Sequence, residues 1–111
     1  MLRLHPTLIS IILFILNKKP LKSNRMNYCV YILYSEKINK FYIGSSSNIE
    51  SRFEFHNSSL NRIWTKRGQP WKLKRTIDCK DNSEALKLEL KIKRMKSRKY
   101  IEEIVKNGIP L

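Results

Sequence analysis

Two apolar stretches decide the fold: residues 28–34, which read YCVYILY, and residues 41–44, which read FYIG. Both combine aromatic and β-branched side chains, the composition typical of β-strands. The first stretch is apolar or aromatic throughout, which predicts a strand buried on both faces. Because only the short connector of residues 35–40 separates the two, the sequence predicts an antiparallel hairpin.

The segment after the hairpin predicts a helix, a loop and a third strand. Residues 47–50 have the Ser-x-x-Glu spacing of a capping box, so a helix is expected from about Asn48 to His56. Residues 57–68 are mostly polar and indicate a loop or a short helix. After Pro70, apolar residues at positions 71, 73 and 77 alternate with polar ones, which predicts a strand with these three side chains on one face.

Two further helices complete the predicted domain. The run Asp81-Asn82-Ser83-Glu84 marks a helix start, Ser97 can cap a last helix, and that helix is expected to end at Asn107-Gly108. The predicted fold class is therefore α+β, a three-stranded antiparallel sheet flanked by helices. The apolar side chains of the first of these two helices recur on one face, at Ala85, Leu88, Ile92 and Met95.

The composition is that of a small, strongly basic globular domain. The 111 residues include 23 lysines and arginines against 9 acidic residues, a net charge of +14. A positive field of this size suits a polyanionic partner, with nucleic acid first and an anionic membrane second. The alternative that needs no partner is the codon bias of an AT-rich genome. A hydrophobic content of 41% and a charged content of 29% exclude a disordered chain.

The first 25 residues differ from the rest and are expected to lie outside the fold. Residues 8–16 form an apolar run that is shorter than the roughly 20 residues of a membrane span, and no small-x-small cleavage site follows it. A second methionine, Met26, stands just before the first strand. We therefore expect an apolar and basic extension at residues 1–25 and a folded domain at residues 26–111. Membrane contact through residues 8–16 is the minority alternative.

The two cysteines carry information about redox state. Cys29 and Cys79 have neither the spacing of a metal motif nor that of a dense disulfide framework, and each lies in or beside a predicted strand. Buried, reduced thiols are expected, which indicates a reducing compartment and a cytoplasmic location.

Arg52 and His56 lie on the same side of the first predicted helix as the apolar Ile49 and Phe53. That side must look toward the sheet, so both polar groups are expected at the rim of the core. Each also has an ordinary interpretation. Arg52 can be a solvated charge whose stem covers apolar surface, and His56 can be a hydrogen-bonded histidine near the helix end.

Glu89 is expected at the edge of the apolar stripe of the long helix, beside Ala85 and Ile92. A carboxylate that is turned toward the protein needs a cation or several hydrogen-bond donors. The ordinary partner is Lys93, one helical turn further on. The functional partner is a divalent metal, because Mg²⁺ is commonly held by one or two protein carboxylates, with water and substrate phosphate completing its coordination.

The order of these features resembles the GIY-YIG nuclease superfamily, and most closely its small stand-alone members. The two motif triplets are Cys29-Val30-Tyr31 and Tyr42-Ile43-Gly44, and Arg52, His56 and Glu89 follow in the family's order. The resemblance covers about residues 26–106. It implies the same α+β fold that the strand and helix patterns predict.

The resemblance also implies roles for single residues. Tyr31 and Tyr42 would line the active site, Arg52 would contact the scissile phosphate and Glu89 would hold a single divalent metal. His56 matches a histidine that many members have. Three positions depart from the family pattern: Cys29 replaces the leading glycine, Ser45 stands where some relatives have a catalytic lysine, and Ile101 stands where some have an asparagine near the metal.

The resemblance implies a metal-dependent endonuclease that hydrolyses phosphodiester bonds in DNA. It implies Mg²⁺ or Mn²⁺ as the metal and no small-molecule cofactor. The expected role is the repair or processing of branched or damaged DNA. We expect Tyr42 to be the general base and His56 an orienting group, with His56 as the rival base. The alternative function is a catalytically inactive nucleic-acid-binding module of the same fold. The residues expected to hold the nucleic-acid backbone are Lys91, Lys93, Arg94, Lys96, Arg98 and Lys99.

Overall fold

The computed structural model of the protein describes residues 27–109. It contains a single antiparallel sheet of strands β1 (Tyr28–Ser35), β2 (Lys40–Ser46) and β3 (Trp71–Cys79) in the order β2-β1-β3. The predicted hairpin is β1–β2. Strand β1, which holds the continuous apolar run, is the central strand, and both of its faces are covered. The α+β prediction is confirmed. The extension expected at residues 1–25 lies outside the described residues.

Helices cover both faces of the sheet. Helix α1 (Ile49–His56) follows the hairpin, a 3₁₀ helix (Trp64–Gly68) precedes β3, and helices α2 (Asn82–Met95) and α3 (Arg98–Asn107) follow it. None of the helices in residues 27–109 is both long enough and apolar enough to cross a membrane.

The two faces of β1 belong to two separate cores. The face that packs on α2 and α3, here called the α2 face, includes Val30 and Ile32 of β1. The opposite face, here called the α1 face, includes Tyr31 and Leu33. These four side chains are at most 1% exposed, as the pleat of a central strand requires.

Strand β3 carries an irregularity that its sequence does not reveal. The pairing with β1 shifts between Ile32, which faces Arg75, and Leu33, which faces Leu73. The one extra residue reverses the alternation of side chains along the strand. Leu73 therefore packs on the α1 face while Ile77 packs on the α2 face. The prediction that strict alternation puts both on one face is wrong for this reason.

Each α-helix begins at a side-chain cap. The cap of α1 is Asn48, whose Oδ1 accepts a hydrogen bond from the Ser51 backbone N–H at 3.1 Å, and not Ser47 as the capping-box spacing predicted. Asp81 caps α2 and Ser97 caps α3, as expected. Replacing such a cap by alanine typically costs about 1 kcal/mol of stability.

The apolar stripe of α2 is confirmed at its centre but not at its end. Ala85 and Ile92 are buried and Leu88 is half-buried, whereas Met95 is 52% exposed. Met95 is the last residue of α2, where the chain turns through a left-handed Lys96 (φ 46°) into α3. A helical wheel predicts which side of the helix a side chain is on. It does not predict how far along the helix axis the neighbouring sheet extends.

Both cysteines are buried and neither is part of a disulfide, as predicted. Burial raises the pKa of the Cys79 thiol, and the nearby carboxylate of Glu84 adds to the rise.

Candidate active site

Tyr31 lies at the centre of the α1 face and is 1% exposed. Its hydroxyl is 3.0 Å from Nε2 of His56. Gly44 is its cross-strand partner on β2, and a Cβ at that position would lie 2.5 Å from the Tyr31 hydroxyl oxygen. The glycine of the Tyr42-Ile43-Gly44 triplet is therefore required by the ring that crosses above it.

His56 is fully buried at the C-terminal end of α1, so the expectation that it lies at the rim of the core is wrong. The reason is that the segment after α1 folds back over it. Nδ1 of His56 lies 3.0 Å from the Thr65 hydroxyl, so both ring nitrogens are hydrogen-bonded. Burial, assisted by the charge of Arg52, lowers the pKa of His56 to about 4. The ring is neutral at pH 7, and it donates at one nitrogen and accepts at the other.

Tyr42 is half-buried and is the more accessible of the two triplet tyrosines. Its ring centroid lies 4.5 Å from that of His56 and 6.0 Å from that of Tyr31. On its other sides it contacts Trp64 and Trp71, at centroid distances of 5.9 and 6.3 Å. Tyr42 thus belongs to an aromatic cluster that reaches from the core to the surface.

Arg52 completes the group. It is half-buried on α1, and its guanidinium lies over the Phe55 ring, 4.8 Å from the ring centroid. Burial raises the pKa of Tyr31 and the neighbouring Tyr42 adds to the rise, whereas Arg52 opposes it. Four of the five predicted catalytic residues, Tyr31, Tyr42, Arg52 and His56, therefore lie together on the α1 face.

Glu89 is placed differently. It lies on α2, whose apolar side chains pack on the α2 face, whereas the cluster around Tyr31 lies on the α1 face. Its side chain is 16% exposed, and its Oε2 accepts a hydrogen bond from Nζ of Lys93 at 2.6 Å. Within residues 27–109 no group of three or more His, Cys, Asp or Glu side chains could hold a metal ion.

Two of the family's other polar positions have different environments here. Ser45 is half-buried on strand β2. Ile101 packs against the core of the α2 face, where it cannot bind a metal or a phosphate. The asparagine function of some relatives is therefore absent at this position.

The predicted backbone-binding residues are all exposed on α2, α3 and the turn between them. Two of them already have partners. Lys93 pairs with Glu89, and Arg98 donates to the backbone oxygen of Asn39 at 2.9 Å, to its Oδ1 at 2.6 Å and to Glu102 at 3.0 Å. Arg98 thereby fixes α3 to the hairpin turn. The four others are Lys91, Arg94, Lys96 and Lys99.

Sequence analysis missed the residues that hold His56. Asn61 and Thr65 are fully buried, although both lie in a polar loop. Nδ2 of Asn61 donates to the Thr65 hydroxyl at 2.8 Å and to the His56 carbonyl at 3.2 Å. Polar residues in a loop follow no periodic pattern, so no signal in a single sequence marks them as buried.

Comparison with known proteins identifies the family. Residues 27–101 match the GIY-YIG catalytic domain. The chain belongs to the GIY-YIG family. GIY-YIG domains are generally nucleases, so this is a nuclease-type domain, and the resemblance stated from the motifs is confirmed.

One solved structure is similar to this GIY-YIG chain. It is the solution NMR structure of a UPF0213 protein from Bacillus halodurans, which is 28% identical. The match covers 76% of this chain and 88% of that one, with a TM-score of 0.48. No curated protein matches the sequence.

Proposed function

We propose that this GIY-YIG protein is a divalent-metal-dependent endonuclease that hydrolyses phosphodiester bonds in DNA, with branched or damaged DNA as its substrate. The observation that carries the proposal is the cluster of Tyr31, Tyr42, Arg52 and His56 on the α1 face, with the Tyr31 hydroxyl bonded to a neutral, buried histidine. A strongly basic surface supplies the affinity for a polyanion.

Arg52 is the residue that would bind the scissile phosphate. Arg52 is half-buried and its charge acts on Tyr31, and its planar fork suits two non-bridging oxygens. Positive charge at that position stabilises the negative charge that builds up on the phosphate as water attacks.

Tyr42 would be the general base, because it combines proximity with access. Tyr31 is fully buried and has a raised pKa, so it would keep its proton and act as a hydrogen-bond donor. His56 has no free ring nitrogen and a pKa lowered to about 4, so it would orient Tyr31 and not contact substrate. This leaves the half-buried Tyr42 to receive a proton from the attacking water.

Glu89 would be the protein ligand of a divalent metal, which GIY-YIG nucleases typically use. A carboxylate oxygen suits Mg²⁺ or Mn²⁺, and one protein carboxylate is sufficient where water and substrate phosphate supply the other ligands. Lys93 is half-exposed, so it can leave Glu89 at little cost. When bound, such a metal neutralises charge on the phosphate and on the leaving oxygen.

The proposal is tested by a nicking assay on supercoiled plasmid, with Mg²⁺ or Mn²⁺ and with a chelator. We expect conversion to the open circular form with metal and none with chelator. Arg52→Ala should abolish nicking, because the phosphate loses its positive partner. Lys80→Ala, which removes an exposed cation outside both the cluster and the proposed nucleic-acid-binding residues, is the control and should nick at the wild-type rate. Absence of nicking by the wild-type protein with either metal contradicts the proposal.

A second candidate function is a nucleic-acid-binding module without catalysis. The observation that favours it is the position of Glu89, which pairs with Lys93 on a helix that covers the other side of the sheet from Tyr31. This candidate predicts salt-sensitive DNA binding together with an intact plasmid in the same assay.

A further inference from the structure

The segment between α1 and β3 exposes apolar side chains next to the candidate active site. Leu60, Ile63 and Trp64 are 73%, 42% and 44% exposed, although each is large and hydrophobic. The proposed reaction uses none of them. Exposed apolar groups that lie close together often mark a surface that binds a partner.

The segment is held in place from inside. Thr65 and Asn61 are fully buried and bonded to each other and to His56. Two residues that come after Trp64 in the sequence add further bonds. Nε1 of the buried Trp71 donates to the Thr65 carbonyl at 2.6 Å, and Gln69 donates to the His56 carbonyl at 2.9 Å. These bonds flank Trp64 in sequence. The exposed indole is therefore presented by an ordered backbone, which lowers the entropy lost when a ligand binds.

Trp64 extends the aromatic cluster of the site to the surface. Its ring centroid is 5.9 Å from that of Tyr42, with 58° between the planes, and 6.0 Å from that of Trp71, with 80° between the planes. Tyr42 and Trp71 support the indole from within, and the outer part of the ring remains open. A planar group that stacked there would lie beside Tyr42.

The charge around Trp64 selects the kind of partner. No acidic residue occurs between Glu54 and Asp78 in the sequence. Cations interleaved with an exposed aromatic ring are typical of surfaces that bind single-stranded nucleic acid, where bases stack on the ring and phosphates lie on the charges. A protein partner would have to be strongly acidic to fit the same surface. The exposed cations nearest to Trp64 in the sequence are Arg62, Lys66 and Arg67.

We infer that Trp64 is a stacking platform for an unpaired nucleobase next to the strand bound at Tyr42. Bases inside a duplex are already stacked on each other, so only an unpaired or displaced base can reach the indole. The protein should therefore prefer nucleic acid with unpaired nucleotides at this position over intact duplex. This inference rests on the proposed function for the location of the strand at Tyr42, and it specifies the substrate class of that site.

The test measures binding without cleavage. A fluorescently labelled oligothymidylate is titrated with the full chain in chelator, and affinity is read from anisotropy. Trp64→Ala should weaken binding by about 5- to 150-fold, the range measured when a stacking aromatic is removed, and Trp64→Phe should recover most of it. Leu60→Ala, which removes a more exposed apolar side chain of the same segment, is the control and should bind like wild type.

Intrinsic fluorescence gives a second readout that does not depend on any variant. The chain has two tryptophans, and Trp71 is 1% exposed, so stacking on Trp64 should quench the wild-type emission as unlabelled oligothymidylate saturates the protein. The ratio of single-strand to duplex affinity should also be lower for Trp64→Ala than for wild type. Circular dichroism confirms that each variant is folded.

Three results would overturn the inference: no quenching at saturation, a folded Trp64→Ala protein with wild-type affinity, or an equal loss in Leu60→Ala. A change in oligomeric state with unchanged oligonucleotide affinity would assign the surface to protein contact instead. The endonuclease proposal fails separately, in the plasmid assay. If the wild-type protein does not nick plasmid but Trp64→Ala still weakens single-strand binding, the stacking inference stands and the endonuclease proposal is wrong.

Discussion

Replacing His56 by phenylalanine should uncouple Tyr31 from the loop that holds it. Phenylalanine fills about the same space but has no ring nitrogen, so the buried hydroxyl of Tyr31 loses its bond to His56. Thr65 loses one bond and keeps the one from Asn61. An unsatisfied buried polar group costs about 1–3 kcal/mol. At pH 7.5 the free energy of unfolding of the variant should therefore be lower than that of the wild type by about this amount.

The same substitution predicts a particular pH dependence. In the folded protein the pKa of His56 is lowered from 6.5 to about 4, so between these values the unfolded chain binds a proton that the folded chain does not. The stability that His56 contributes is therefore complete above about pH 6.5 and is lost as the pH falls toward 4. The loss can reach at most about 1.36 kcal/mol per pH unit in that window. Phenylalanine cannot titrate, so the variant lacks this component.

The assay is urea denaturation of both proteins between pH 4.5 and 7.5. Carboxylates titrate in both, so the difference between the two free energies of unfolding isolates His56. We expect His56→Phe to be less stable than the wild type at pH 7.5. The difference between the two free energies of unfolding should narrow steadily below about pH 6.5. A gap that stays constant or widens as the pH falls would show that His56 is not held neutral by burial, and the orienting role assigned to it would be refuted.

Three further predictions test other parts of the structure. Gly44→Ala places a methyl group 2.5 Å from the Tyr31 hydroxyl and should cost about 1–3 kcal/mol in urea denaturation; wild-type stability would show that Tyr31 does not cross the glycine. Arg98→Ala removes the bonds to Asn39 and should lower the melting temperature more than Lys99→Ala on the same helix, while equal effects would contradict the structural role of Arg98. Duplex DNA affinity should fall with salt by about 0.9 in log K per unit of log salt for each phosphate contact, and a flat response would argue against the basic helical surface.

The sheet could be predicted because local composition alone specifies it. The apolar run of β1 and the short connector to β2 require a buried central strand and a hairpin, and the structure has both. The irregularity in β3 could not be predicted, since nothing in residues 71–79 marks where the extra residue falls. It matters because it determines which core receives Ile77.

Most residues of the candidate site could be predicted from the sequence, but the burial of His56 could not. Helical spacing puts Arg52 and His56 on the side of α1 that faces the sheet, but it cannot reveal that residues 57–68 close over His56. That closure depends on Asn61 and Thr65, whose burial depends on contacts that no periodicity encodes. Helical spacing predicts Glu89 at the edge of its stripe and one turn from Lys93, with which it pairs. The packing of α2 on the face opposite to Tyr31 follows only from the assembled topology.

The single-turnover cleavage rate of Glu89→Gln tests the proposed active site most directly. Glutamine keeps the size of the side chain and removes the charge that a divalent metal requires, so cleavage should fall by orders of magnitude while DNA binding and folding stay nearly unchanged. The matched control is Glu102→Gln, which breaks a similar i,i+4 pair with Arg98 on α3 and should cut at the wild-type rate. If Glu89 only pairs with Lys93, the substitution would cost a few tenths of a kcal/mol and leave cleavage as it was. A Glu89→Gln protein that cuts DNA at the wild-type rate would contradict the proposed site.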